Sequence, residues 1–257
     1  EPQATAVATD VLDAVAEGRY PLPHDVLGAH LNDGVVTIRS VHHLADSVEV
    51  LTQDHTYPAT HEHGGVWVCV FAAEDIPDYR LRVTYGDHSQ VVDDPYRLLP
   101  TVGEMDTYLI SEGRHERLWE VLGAHLMHFD GVMGPVDGVA FAVWAPNARA
   151  VRVVGDFNFW DGTGHAMRTM GASGVWELFI PGVGIGARYK FEIQGPSGNW
   201  FQKADPMARA TEIPPATASV VTDVFHTWND EDWLRAREDT NPHSGPMSIY
   251  EVHAGSW

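Results

Sequence analysis

The chain repeats itself, and the repeat limits what it can fold into. Leu27-Gly28-Ala29-His30 returns as Leu122-Gly123-Ala124-His125. Gly65-Val66-Trp67 returns as Gly174-Val175-Trp176, and Tyr79-Arg80-Leu81-Arg82-Val83 is echoed by Tyr189-Lys190-Phe191-Glu192-Ile193. Asp94-Pro95-Tyr96 has its counterpart in Asp205-Pro206-Met207. The distances agree as well: Trp67 to Tyr79 is 12 and Trp176 to Tyr189 is 13, while Tyr79 to Asp94 is 15 and Tyr189 to Asp205 is 16. Landmarks that keep order and spacing mark two copies of one structural unit. We expect two modules joined near residues 104–118, a division that 257 residues accommodate.

Each copy reads as β. Residues 35–39, 47–51, 66–71 and 79–85 are rich in branched side chains and partly alternate, with Gly, Pro and Asp clusters between them. In the second copy the strands are expected at 138–144, 150–155, 175–180, 188–194 and 200–202. Short strands at this spacing predict antiparallel β-sandwiches. Helix is minor. Val7, Val11, Leu12 and Val15 share a helical face that Gly18 would terminate. Further short helices are expected at His115–Val121 and Glu231–Arg237. After the break Asn241-Pro242-His243-Ser244-Gly245-Pro246, the run Met247–His253 reads as a new strand. A strand without a mate suggests the start of a further domain, and so a fragment.

Composition excludes several functions. The 36 acidic residues against 16 basic ones leave a net charge of −20, which repels phosphate backbones and anionic lipid. Nucleic acid and membrane are therefore not expected partners. No apolar run approaches the ~20 residues of a membrane span, and Glu1-Pro2-Gln3 opens no signal peptide. The single cysteine, Cys69, cannot form an internal disulfide, which fits a reducing, cytoplasmic setting.

The most distinctive segment is Gly155-Asp156-Phe157-Asn158-Phe159-Trp160-Asp161-Gly162, which ends a strand and opens a loop. Exposed Trp stacks on the apolar face of a sugar ring, while Asn, Asp and Lys bond its hydroxyls. Phe157 alternates inward and is read as core; for Trp160, ligand and core weigh equally. Lys190 lies between the core aromatics Tyr189 and Phe191 and so points to the opposite face of its strand. It is one of only two lysines, with Lys203. Trp200 sits on the following hairpin. Trp160, Lys190 and Trp200 could thus share one aromatic and cationic platform, with Asn158 beside it.

Other constellations fail. His55, His61, Glu62 and His63, with His42-His43 upstream, lack the four-ligand arrangement of a zinc site and read as solvated loops. Asp93-Asp94 and Asp230-Glu231-Asp232 read as turns and a helix start rather than as a catalytic pair. Phosphate-loop and nucleophile-elbow motifs are missing, as is a Cys/His dyad. No catalytic residue, metal or cofactor is expected.

These residues resemble the N-terminal half of bacterial glycogen (1,4-α-glucan) branching enzymes, in the actinobacterial form with an extra N-terminal β module. The resemblance runs through both Leu-Gly-Ala-His motifs, Gly113-Arg114-His115-Glu116-Arg117-Leu118-Trp119 and Phe141-Ala142-Val143-Trp144-Ala145-Pro146-Asn147-Ala148. It continues through Gly155-Asp156-Phe157-Asn158, Ala204-Asp205-Pro206, and Tyr250-Glu251-Val252-His253 with Gly255-Ser256-Trp257. It implies two tandem immunoglobulin-like β-sandwiches. These are an N-terminal module over residues 1–106 and a family-48 carbohydrate-binding module over 107–225. A linker over 226–246 and the first strand of an (α/β)₈ amylase-type barrel over 247–257 would follow. The family's glucan platform falls on Trp160, Lys190 and Trp200. An asparagine that often joins it is missing from Ala216-Thr217-Ala218-Ser219-Val220. The first copy has Gln53-Asp54-His55-Thr56-Tyr57 where the second has its Phe-Asn loop, so it is expected to pack rather than grip sugar. The implied partners are α-1,4-glucan (glycogen) and the barrel of the same chain, in a monomer. Branching itself would use a retaining pair of carboxylates in that barrel, leaving this chain inactive alone. The rival reading is a non-enzymatic glycogen-binding scaffold. Debranching and trehalose-releasing relatives fit less well, because they resemble only the second module.

Overall fold

The computed structural model describes residues 2–223 and 225–256. They fall into two compact units, one reaching to Asp223 and one following it. The first unit is mainly β, with four antiparallel sheets.

Residues before 100 supply two of the sheets. Strands β1 (Gly28–Asn32), β2 (Val35–Val41), β5 (Thr60–His63) and β6 (Val66–Ala72) pair in the order β1-β2-β6-β5. Strands β3 (Ser47–Leu51), β4 (Thr56–Pro58), β7 (Arg80–Tyr85) and β8 (His88–Val92) pair as β4-β3-β7-β8. Val36, Ile38, Cys69 and Phe71 from one sheet bury against Val48, Val50, Leu81 and Val83 from the other. The second copy does the same. Its strands β9 (Gly123–Phe129), β10 (Val136–Trp144), β12 (Arg168–Thr169) and β13 (Val175–Pro181) pair as β12-β13-β10-β9. The facing sheet holds β11 (Ala150–Gly155), β14 (Arg188–Gln194), β15 (Trp200–Lys203), β16 (Ala210–Thr211) and β17 (Ser219–Val220). There the order is β11-β14-β17-β16, with β15 also on β14.

The repeated residues make the same bonds twice. Tyr79 donates its buried hydroxyl to Asp94 Oδ2 at 2.6 Å, and Tyr189 donates to Asp205 Oδ2 at 2.6 Å. The second carboxylate oxygen accepts from the backbone two residues on, Tyr96 N at 2.9 Å in one copy and Met207 N at 2.8 Å in the other. Gly28 and Gly123 sit at φ +82° and +104°, and a Cβ there would meet the carbonyl oxygen of Tyr96 at 2.3 Å or of Met207 at 3.2 Å. His30 and His125 each donate Nε2–H to the carbonyl three residues back. Trp67 and Trp176 tie their indole N–H to the carbonyls of His42 and Ala145.

The copies are not beads on a string. Leu12, Val15 and Ala16 of helix α1 (Thr9–Ala16), with Val26, Leu27, Val66 and Tyr96, share one core with Val139, Phe141, Val151, Val153 and Phe191. Hydrogen bonds cross the same boundary: Tyr96 Oη donates to Ala166 O at 3.0 Å, and Thr169 N to Pro21 O at 2.9 Å.

Gly18 follows α1 in the left-handed region at φ +66°, as expected of a terminator. The expectation of a helix over His115–Val121 is corrected. The helix, α2, covers Glu104–Ser111, and only a 3₁₀ turn forms at Leu118–Glu120. Glu104 and Asp106 favour a helix start, and Gly113 at φ +65° stops it. A matching 3₁₀ turn at Pro23–Asp25 precedes the first Leu-Gly-Ala-His. In the second unit helix α3 spans Glu231–Glu238. The strand expected at Met247–His253 is not formed, because a strand is held by a laddered neighbour and that unit offers none among its described residues. No helix among the described residues is long and apolar enough to cross a membrane.

Tyr79→Phe and Tyr189→Phe are each expected to cost about 1–3 kcal/mol in urea unfolding, because a buried carboxylate loses a donor. Tyr79 and Tyr189 belong to different core clusters, so the double variant should show roughly the sum. Losses below ~0.5 kcal/mol would mean the pair is dispensable.

Three histidines give the fold a pH dependence. Desolvation first, then neighbouring cations, lowers His24 to about 3, and burial beside other imidazoles lowers His42 to about 4 and His165 to about 4. Each is neutral when folded but binds a proton near pH ~6.5 when unfolded. Their contribution is full above that pH and is lost as pH falls from ~6.5 through ~4 for His42 and His165 and towards ~3 for His24. The melting temperature should drop across this window, and His42→Gln should flatten the drop.

Candidate functional site

Register places the predicted residues on one sheet. On β11 and β14, Val154 faces Lys190, Arg152 faces Glu192 and Ala150 faces Gln194; on β15, Trp200 faces Gln194 and Gln202 faces Glu192. Cross-strand partners share a face, and the alternate residues Val153, Tyr189 and Phe191 are core. Lys190 and Trp200 therefore share the outer face, the face that alternation implied for Lys190. Four residues of β14 separate their positions, about 13 Å at a strand's rise.

Trp160 arrives from the Lys190 end. After β11 the chain makes a 3₁₀ turn over Asp156–Asn158, and then Phe159 and Trp160 both take left-handed backbone, at φ +54° and +62°. Two bulky residues in that region are strained unless the surroundings hold them. Several bonds do. Trp160 N donates to Gly155 O at 3.0 Å. Arg188 grips Asp156 with Nε and Nη2, both at 2.9 Å, and these bonds first of all hold the Asp156 carboxyl below its ordinary range. Asp161 accepts from Thr163 N at 3.0 Å and Oγ1 at 2.8 Å, which lowers it too.

Asn158 has a different place from the one expected. Its Oδ1 accepts from Gly155 N at 2.9 Å, and its Nδ2 donates to Val153 O at 2.9 Å and to His165 Nδ1 at 3.0 Å. These bonds hold the amide inside the loop, where it braces the turn that carries Phe159 and Trp160. Phe157 packs against the core beside Phe141, as read from its alternation.

Arg152, Glu17 and Thr217 are contributors that sequence reasoning missed. The Arg152 guanidinium lies 3.8 Å from the centroid of the Trp200 ring, a cation–π contact that covers one face of the indole. Arg152 is in turn held by Glu192 Oε1 at 2.9 Å and by the Glu17 carbonyl at 2.8 Å. Outward alternation between Val151 and Val153 was the available signal for Arg152. Glu17 lies 135 residues away in sequence, and nothing local points to it. Lys190 Nζ donates to Thr217 Oγ1 at 2.7 Å, in the stretch that lacks the expected asparagine.

The histidine and carboxylate clusters are occupied otherwise. Among the described residues, no three His, Cys, Asp or Glu side chains converge as a metal site would require. His61 bonds Gly64 O at 3.0 Å, Glu62 pairs with Arg39 at 2.6 Å and His63 with Asp13 at 2.6 Å. Asp93 pairs with Arg80, and Asp94 holds Tyr79. In the first copy Tyr57 stacks on Phe71 at 4.1 Å and 7°, turning its aromatic inward.

Two family models match the chain: the alpha-1,4-glucan branching enzyme GlgB N-terminal domain over residues 8–96, and carbohydrate-binding module 48 (isoamylase N-terminal domain) over 121–208. The chain is 53% identical to the 1,4-alpha-glucan branching enzyme GlgB of Thermobifida fusca, over 100% of this chain and 34% of that protein. It is also 53% identical to that of Frankia casuarinae, over 96% of this chain and 31% of that protein. The chain thus spans about a third of the length of these curated relatives. Among solved structures, pullulanase type I from Bacillus subtilis is similar at 17% identity and a TM-score of 0.35, over 79% of this chain and 27% of that one.

Removing the loop clamp should be costly without any sugar present. Asn158→Ala is expected to lose about 1–3 kcal/mol of stability and to speed amide exchange at residues 155–161. Unchanged exchange there would show that the loop holds without it.

Proposed function

Because this chain is homologous along its whole length to the N-terminal third of 1,4-alpha-glucan branching enzymes, we propose that it is the glucan-positioning part of such an enzyme. In this reading its sheets form two immunoglobulin-like sandwiches, over 1–106 and 107–225, and the second carries the sugar platform. A linker over 226–246 would lead to residues 247–257 at the start of the catalytic barrel.

The observation that carries the reading is the outer face of β14 and β15, where Lys190 and Trp200 point the same way and the strained loop holds Trp160 at the Lys190 end. Arg152 covers one face of the Trp200 indole, and we assign the glucose ring to the other. Lys190 and Thr217 offer polar atoms for hydroxyls. A neutral polysaccharide is indifferent to the net charge of −20 that turns anions away.

Branching cleaves an α-1,4 bond through a glycosyl-enzyme on one carboxylate and transfers the chain to a 6-hydroxyl, with a second carboxylate as acid and base. The acidic clusters weighed from sequence in the first unit, Asp93 and Asp94, are already bonded to Arg80 and Tyr79. We therefore assign the chemistry to the part of the relatives that this chain does not cover, and binding to this part.

Calorimetric titration of maltoheptaose into the chain tests this. Trp160→Ala and Trp200→Ala should each weaken binding by roughly tenfold, the loss of ~1 kcal/mol or more per stacking ring. Equal affinity in parent and variants would remove the platform.

A further inference from the structure

A cleft of about 380 Å³ lies between the two sandwiches, walled by β8 and the β2 end on one side and by the Phe157–Phe159 turn and Pro181–Val183 on the other. Its volume is within the range of small-ligand sites, ~300–1,000 Å³. Three features set it apart from a mere seam.

First, Phe159 lines it while remaining 94% exposed, on the strained left-handed backbone described above. An apolar ring held into water at a conformational cost is explained by a function, not by packing. Tyr85 supplies a second aromatic surface on the opposite wall, with Gln90 near it. Secondly, His42 Nε2 is buried there without a hydrogen-bond partner. A buried polar atom left unpaired is costly unless a ligand or water completes it. Burial keeps this imidazole neutral at neutral pH. Thirdly, the charges are wrong for an ion. No Lys or Arg is among the described lining residues, which excludes a phosphate site. The carboxylates that line it, Asp93 and Asp94, are committed to Arg80 and to Tyr79, which leaves no free anion for a cation.

Aromatic walls, a neutral orphaned imidazole and an amide suit a neutral polyhydroxylated ring. We propose that this inter-module cleft is a second α-glucan subsite, with Phe159 and Tyr85 flanking a sugar and His42 and Gln90 bonding its hydroxyls. The proposal rests on the glucan-binding reading of the second module and adds a site distinct from the Trp160, Lys190 and Trp200 face. Phe159 and Trp160 are successive residues on the same clamped turn, so one loop would serve both sites. The N-terminal module then has a direct part in binding, since His42, Tyr85 and Gln90 all belong to it.

The test is a titration of the ¹⁵N-labelled 257-residue chain with maltoheptaose, followed by NMR at the His42 ring nitrogens and the tryptophan indoles. His42 should shift, and should still shift in the Trp160→Ala/Trp200→Ala double variant. Phe159→Ala, at an exposed position that should not impair folding, is expected to weaken the His42 response roughly fivefold, and Gln90→Ala to weaken it as well. Three outcomes would overturn the cleft while leaving the platform standing. They are a still His42 while the indoles move, a response that vanishes in the double variant, or one indifferent to both Phe159→Ala and Gln90→Ala. Silence at His42 and at the indoles together would sink both readings.

Discussion

A tyrosine hydroxyl given to a buried aspartate is the interaction on which each half of this molecule is built. Asp94 and Asp205 are removed from water, which raises both carboxyls above their ordinary range, while the bonds from Tyr79 or Tyr189 and from the backbone two residues on pull the other way. A buried charge is tolerated only with such partners. Their placement fixes the path of the chain. The Asp-Pro segment must return to the tyrosine on the neighbouring strand, and the glycine of Leu-Gly-Ala-His must leave room for its backbone. Three motifs far apart in sequence thus form one knot, and the knot is tied twice.

The shared core has consequences for the surfaces. Because α1 and Tyr96 of the first copy are buried against the second, Gly18 lies so close to Thr163 that a Cβ would be 2.8 Å from its Cα. The same end of α1 offers the Glu17 carbonyl to Arg152, which lies over Trp200. One boundary of the proposed platform is therefore set by the other module. The three half-buried histidines lie along this boundary too, so acid should loosen the docking of the copies along with the fold.

Much of this was legible in the sequence, because the signals were local or duplicated. Strand positions followed from alternating branched residues, and Lys190 was oriented by the aromatics on either side of it. The unassigned strands β1 and β9 begin inside the repeated motif, where Gly and His mask the pattern of a strand, and β4, β5 and β8 sit at or near sheet edges with polar faces. The bonds that Asn158 makes within its own loop were not visible in the sequence. An asparagine beside exposed aromatics looks the same from sequence whether its amide faces a sugar or closes its own turn. Arg152 needed register, since only the pairing of β14 with both β11 and β15 brings it over Trp200. The helix expected at His115–Val121 formed earlier because Gly113 stops α2 before that stretch.

The comparison of the two copies locates the specialisation. Both carry the same Tyr–Asp knot, the same glycine and the same tryptophan bond, so the frame by itself confers nothing that differs between them. One connection differs in a way that bears on the surface. After β3 the first copy spends its aromatic on its own sandwich, with Tyr57 flat against Phe71. After β11 the second copy closes a turn with Asn158 and sets Phe159 and Trp160 on left-handed backbone, with the Phe159 ring exposed and Trp160 partly buried. Rigid sheets on either side bear that strain, which a free loop would relax. On the proposed reading, a duplicated sandwich acquires a ligand surface by altering a few residues at a strand end, while its neighbour, keeping the inward arrangement, becomes the wall against which that surface is held.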